Sequence, residues 1–210
     1  MNEINIMKGM DHPNIISYKE YHHSKNEYWI IMEYLPWETL HSFIKENSSI
    51  FSENMVKKIM LQLLDALCYL SEKQICHRDI TLDNILISSS TLSLKLIDFG
   101  VAKCLKNSED FLFSPVGKIK WRAPELHEYG SYNGKYDVWQ CGLVFAELVL
   151  HEKTGSKNVL KRLENRKEHE FLTKNGYDLL YKMLQKNPND RCDCFQARTH
   201  EWFSEESQTI

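Results

Sequence analysis

Asp79, Asn84 and Asp98 are the residues of this chain whose types and spacing could do chemistry. The first two lie in one run, Cys76-His77-Arg78-Asp79-Ile80-Thr81-Leu82-Asp83-Asn84. The third follows in Leu96-Ile97-Asp98-Phe99-Gly100, and Ala123-Pro124-Glu125 comes after that. A carboxylate can take up a proton or help hold a hard cation, and an amide oxygen can join it as a second hard donor. A single Asp is more often an ordinary helix cap or turn residue, so the weight rests on the set in its order.

Those three stretches, in that order, resemble the catalytic loop, metal-binding loop and activation-segment anchor of a eukaryotic-type protein kinase, most like the serine/threonine kinases. The resemblance implies transfer of the γ-phosphate of ATP to a protein hydroxyl, with Mg2+ as cofactor and a protein as substrate. Such a transfer needs a positioned acceptor and neutralised phosphate charge more than covalent help. On that reading Asp79 accepts or orients the hydroxyl proton. Asn84 and Asp98 hold magnesium, with Asp98 bridging it to the phosphates.

The resemblance extends to further positions. Glu3 falls at the helix-C glutamate, Met32 at the gatekeeper, Glu33 and Leu35 at the hinge that meets adenine, and Thr39 near the ribose. Leu86, with Leu40, Val144 and Leu148, is implied as the floor of the adenine slot. Met7, Tyr18, His77 and Phe99 correspond to a stacked regulatory spine anchored by Asp137. Asp137-Val138-Trp139-Gln140-Cys141-Gly142 corresponds to the helix-F motif, and Glu125 with Arg191 to a buried ion pair. Arg78 is the arginine that a phosphate on the activation segment neutralises. Ser114 stands where that phosphate is usual, and Pro115 after it suits an upstream proline-directed kinase. Ser108 is a weaker candidate.

The chain departs from the family pattern in places. No glycine-rich loop and no strand lysine precede Glu3, so the resemblance implies that the start of the domain lies upstream of Met1. Taken alone, the chain is expected to leave adenine half exposed and to bind ATP weakly, with Glu3 lacking its lysine. The alternative is a catalytically inactive, kinase-like module that binds or regulates a partner. Thr81 stands where serine/threonine kinases carry lysine, and Lys118 where they carry threonine. We expect an exchange, with Lys118 serving the γ-phosphate and Thr81 accepting the hydrogen bond; the alternative is independent decay of both sites. Trp37-Glu38 replaces two glycines after the hinge. Lys120-Trp121 is similar to tyrosine kinases, whose other marks are absent.

These residues need elements to position them. Ile4, Ile6, Met7 and Met10 suggest the end of an amphipathic helix, stopped at His12-Pro13. Residues 15–21 and 28–34 read as strands with a polar turn over 22–26. Helical periodicity starts at Leu40. After the cap Ser52, the recurrence of Met55, Ile59, Leu63, Leu67 and Leu70 predicts a long helix. Short strands are predicted at 85–87 and 94–96, a segment poor in helix signals over 98–125, and helices over 138–150, 158–166 and 177–185, with a last piece ending at Trp202-Phe203. The class is α+β. A truncated N-lobe of helix C and two strands spans 1–35, a mainly α C-lobe spans 36–203, and a tail spans 204–210.

Composition sets the outer bounds. The 210 residues are 42% hydrophobic, enough for one domain with a sizeable core, and the net charge of −3 gives no reason to expect nucleic acid or an anionic membrane as partner. No apolar stretch approaches a membrane span. The 6 cysteines form no metal-site spacing and suggest reduced thiols in the cytoplasm or nucleus. Asn47-Ser48-Ser49 matches a glycosylation acceptor by chance in that setting.

Overall fold

The structure is a computed structural model, and it describes residues 2–25, 27–47, 51–106, 110–114, 116–150 and 171–204. The helix expected over 158–166, Ser108, Pro115 and most of the expected tail lie outside the described residues. Helix α1 (Asn2–Lys8) buries Ile4, Ile6 and Met7 and ends ahead of Pro13. Strands β1 (Tyr18–His23) and β2 (Tyr28–Met32) then form an antiparallel two-stranded ribbon. The predicted strand over 15–21 starts later than expected, because Ile15 is diverted into a parallel bridge with Leu96. Ile16 N donates to Leu96 O at 3.0 Å there, and Leu96 N to Asn14 O at 2.8 Å.

Strand β3 (Glu38–Thr39) leads into α2 (Leu40–Asn47), whose first turn is closed by Thr39 Oγ1 accepting from Ser42 N at 3.2 Å. Helix α3 (Glu53–Glu72) begins as predicted, with Ser52 Oγ accepting from Met55 N. Its apolar stripe of Ile59, Leu63, Leu67 and Leu70 is buried. Strands β4 (Ile75–Cys76), β5 (Ile85–Ile87), β6 (Leu94–Leu96) and β7 (Lys103–Cys104) complete two small sheets, β3-β5-β6 and β4-β7. β3, β4 and β7 escape a sequence reading because two residues cannot show an alternation.

Helix α4 (Pro124–Glu128) carries proline in its first turn, where the missing N–H does no harm. Helix α5 (Lys135–Leu150) is buried at every position from Tyr136 to Leu150 and is the axis of the helical part. It starts earlier than predicted because Asn133 Oδ1 accepts from Lys135 N at 3.0 Å. Helix α6 (Lys174–Met183) is likewise advanced by its cap Thr173, and α7 (Cys194–Arg198) opens with a capping box on Asp193 and Gln196. The chain is α+β, with a few short strands early and a mainly helical remainder. No described helix is long and apolar enough to cross a membrane.

Candidate active site

The loop that carries Asp79 is held from beneath by α5. Asp137 Oδ2 accepts from His77 N at 2.6 Å and Oδ1 from Arg78 N at 2.8 Å. Gln140 Oε1 accepts from Ile80 N at 3.0 Å, and Gln140 Nε2 donates to Arg78 O at 3.3 Å. These bonds fix Arg78 at φ 72°, a left-handed geometry that a non-glycine residue keeps only when its surroundings enforce it. The His77 ring meets Phe99 edge-on at 4.6 Å, and its Nε2 is 3.0 Å from Ile97 O. Burial holds the His77 pKa below its ordinary value. The packed interior therefore dictates where Asp79 points.

Asp79 is gripped from two directions. Asn84 Nδ2 donates to Asp79 Oδ2 at 2.8 Å and to Asp79 O at 2.9 Å. Lys118 N donates to Asp79 Oδ1 at 3.3 Å. That approach depends on Gly117, at φ +74°, where a Cβ would stand 2.7 Å from Arg78 O. The Lys118 ammonium lies 2.6 Å from Asp83 Oδ2 and 3.4 Å from Thr81 Oγ1, so the two residues expected to have exchanged roles are side by side. His41 Nδ1 lies 3.3 Å from the other Asp83 oxygen.

Asp98 is exposed, at φ 62°, with Oδ1 accepting from Gly100 N at 3.2 Å. Ile97 N donates to Asn84 O at 2.9 Å, which sets Asp98 next to Asn84. The Asn84 amide nitrogen is committed to Asp79, so its amide oxygen is the donor left for a cation. One carboxylate and one amide oxygen fit magnesium, which keeps several of its waters. Glu3 converges on the same place. A Cβ on Gly100 would be 3.1 Å from Asp98 Oδ1 and 3.8 Å from Glu3 Oε2. Burial, followed by the Asp98 charge, raises the Glu3 pKa.

The residues expected around a nucleotide lie along β2, β3 and β5. Thr39 and Leu86 are cross-strand partners, although the Thr39 hydroxyl is occupied at the start of α2. Glu33 Oε1 accepts from Ser17 N at 2.7 Å and pairs with Lys95 at 2.6 Å, while Glu33 N donates to Ser17 O at 2.9 Å. Met32 is exposed and Leu35 half-buried. The expected floor needs correction. Leu40, Val144 and Leu148 have no exposed surface, because α2 and α5 bury them in the core, and Leu86 alone of the four is half-buried.

Glu125 and Arg191 do pair, at 2.7 and 2.8 Å, with both side chains buried. Three residues that sequence reasoning did not single out also shape the site. Gln140 holds the Ile80 amide and the Arg78 carbonyl of the loop, Asp83 holds Lys118, and Tyr132 contacts Arg78. Gln140 stood in a motif already noted, whereas nothing local marks the tyrosine.

The protein kinase domain family matches residues 1–203. A serine/threonine-protein kinase of Acanthamoeba polyphaga mimivirus is 32% identical over 232 residues, covering 96% of this chain and 52% of that protein. Serine/threonine-protein kinase cds1 of Schizosaccharomyces pombe is 31% identical, covering 96% of this chain and 47% of its own length. Calcium-dependent protein kinase 5 of Plasmodium berghei is 34% identical, with 96% and 37% covered. The chain thus spans about half or less of the length of these relatives.

Proposed function

Since the chain belongs to the protein kinase domain family, we propose that it transfers the γ-phosphate of ATP to a serine or threonine hydroxyl of a protein. The observation that carries this reading is the Asp79 carboxylate, oriented by Asn84 Nδ2 on one oxygen and Lys118 N on the other. A carboxylate held in this way can receive the proton of an acceptor hydroxyl as the new ester bond forms. Asn84 and Asp98 would hold Mg2+, which when bound supplies positive charge against the phosphates. Lys118 would add a second positive charge from the acceptor side, and Glu3 would serve the site from α1. Met32, Glu33, Leu35, Thr39 and Leu86 would line the nucleotide.

In this reading residues 1–35 act as part of an N-lobe, 36–203 as the C-lobe and 204–210 as a tail. A proline-directed kinase acting at Ser114 would be an upstream partner. The 6 free cysteines suit a reducing compartment, the cytoplasm or nucleus. The second reading, a kinase-like module without turnover, is favoured by one feature. Thr81 stands where serine/threonine kinases carry lysine.

The deciding experiment incubates the purified chain with magnesium and γ-labelled ATP over a panel of serine, threonine and tyrosine peptides. Transfer to serine or threonine by the native chain, and none by Asp79→Asn, supports the proposal. Binding of magnesium–ATP without transfer in either protein would establish the second reading.

A further inference from the structure

Arg78 is only 7% exposed although it carries a guanidinium. A buried cation of this kind requires partners for its donors. Arg78 Nε donates to Val101 O at 2.6 Å, and Nη1 donates to the Tyr132 hydroxyl at 3.1 Å. That hydroxyl is used twice, because it also donates to Ser114 O at 2.8 Å. Tyr132 is itself 1% exposed. Its backbone forms a two-way bridge with Leu112, N to O at 3.0 Å and O to N at 2.8 Å, and its ring packs on Tyr136 at 4.4 Å. Burial raises the phenol pKa against the opposing effect of Arg78, so the proton needed for the Ser114 bond stays in place.

One side chain thereby joins three parts of the molecule. The Arg78 amide is fixed to Asp137, its guanidinium to Tyr132, and Tyr132 to the backbone of the segment at Leu112 and Ser114. We propose that Tyr132 is a positioning residue that clamps residues 110–114 to the catalytic loop through protein groups alone. The neutral hydroxyl meets Arg78, the arginine that the family resemblance pairs with a phosphate. A phosphate on Ser114 would add to an arrangement already made, since the clamp uses the Ser114 carbonyl and leaves its side chain exposed. The kinetic consequence rests on the phosphotransfer reading, whereas the structural consequence does not.

The test uses the full chain after phosphatase treatment, with mass spectrometry confirming that no phosphate remains. Tyr132→Phe keeps the ring and the Leu112 bridge but removes the double hydrogen bond. Trypsin cleavage at Lys118 and Lys120 should then accelerate about threefold to tenfold, the factor one buried hydrogen bond supplies, while cleavage at Lys19 stays as it was. Ser114→Ala should be cleaved at the native rate, because the carbonyl remains. If the native chain transfers phosphate, Tyr132→Phe should also raise KM for the protein acceptor with KM for ATP unmoved.

Equal cleavage rates in native and Tyr132→Phe protein would overturn the clamp, as would a Ser114→Ala effect matching that of Tyr132→Phe. Should Tyr132→Phe fail to fold, hydrogen exchange on the native chain decides. Amides of residues 110–114 that remain protected after phosphatase treatment support the proposal, and exchange at the rate of an unfolded peptide refutes it. If the native chain transfers no phosphate at all, the functional reading falls while the cleavage and exchange results still judge the clamp.

Discussion

The Asp137 carboxylate on α5 accepts the backbone amide of Arg78 at 2.8 Å, joining residues separated by 59 positions in sequence. Its other oxygen takes the amide of His77, so one buried side chain holds two consecutive peptides of the loop. Asp137→Asn leaves a single acceptor oxygen and sets an NH2 group against an N–H donor. We expect a loss of about 2 to 4 kcal/mol of stability, the scale of a buried donor left without its charged acceptor. Thermal melting of the two proteins measures it, and an unchanged midpoint would show that the loop is held by other bonds.

Gly117→Ala tests the close approach that delivers Lys118 N to Asp79. At φ +74° and with Arg78 O only 2.7 Å from the new Cβ, alanine is strained in backbone and in contact. The strain amounts to about 1 to 3 kcal/mol. The backbone must shift to relieve it, and the 3.3 Å bond to Asp79 Oδ1 lengthens. Stability and turnover should fall together. A variant with native stability and native turnover would mean that the segment adapts freely at this point.

Much of the site was legible because it is written in residue types at fixed spacing. Asn84 bonds the Asp79 carboxylate, its carbonyl takes the amide of Ile97 beside Asp98, and Glu125 pairs with Arg191. Helix α3 was legible because Ser52 and the apolar stripe after it agree on one period. What stayed hidden depends on distant partners. Leu40, Val144 and Leu148 were expected as a slot floor, and their burial follows from the packing of α2 and α5, which no local pattern shows. Tyr132 is one tyrosine among 10, and nothing in its neighbours indicates that its hydroxyl meets Arg78. Lys135 as a helix start depends on the Asn133 side chain turning back onto its amide.

The Glu125–Arg191 pair is fully buried and two-pronged, and Arg191 also lies 5.1 Å from the centre of the Trp139 ring. Arg191 donates in addition to Gln185 O and Lys135 O at 3.0 Å each. Arg191→Met removes all of these donors and strands a buried carboxylate. The expected loss is about 3 to 5 kcal/mol, as for other buried pairs broken from one side. Arg191→Lys should recover only part of it, because a point ammonium cannot reproduce the fork. Denaturant unfolding of the three proteins gives the ranking, and equal stability of the lysine variant and the native chain would contradict it.

Glu33 offers a test with a defined pH dependence. Burial alone would raise its pKa, but the hydrogen bonds from Lys95 and from Ser17 N outweigh that and bring it below the ordinary 4.5. A folded pKa below the unfolded one means the stabilisation is complete above 4.5 and disappears as pH falls through the folded value. Glu33→Gln should therefore cost about 1 to 2 kcal/mol near neutral pH, discounted for partial exposure. The gap between native and variant should close in acid, below the folded pKa. Melting curves over a pH series check the sign, and a gap that widens in acid would be the wrong one.

Lys118 separates a catalytic role from a structural one. Its ammonium touches Asp83 at 2.6 Å and Thr81 Oγ1 at 3.4 Å, but the side chain is 44% exposed. An ion pair this open contributes at most about 1 kcal/mol to stability. Lys118→Ala should consequently melt near the native temperature. If the lysine serves the transferred phosphate, turnover should nevertheless drop by about tenfold to a hundredfold, at the low end for losing one charge-stabilising donor. Asp83→Asn provides the counterpart, since it releases the ammonium without removing it and should leave turnover far closer to native. If Lys118→Ala turns over at the native rate, the lysine is only the partner of Asp83, and the exchange of roles with Thr81 is wrong.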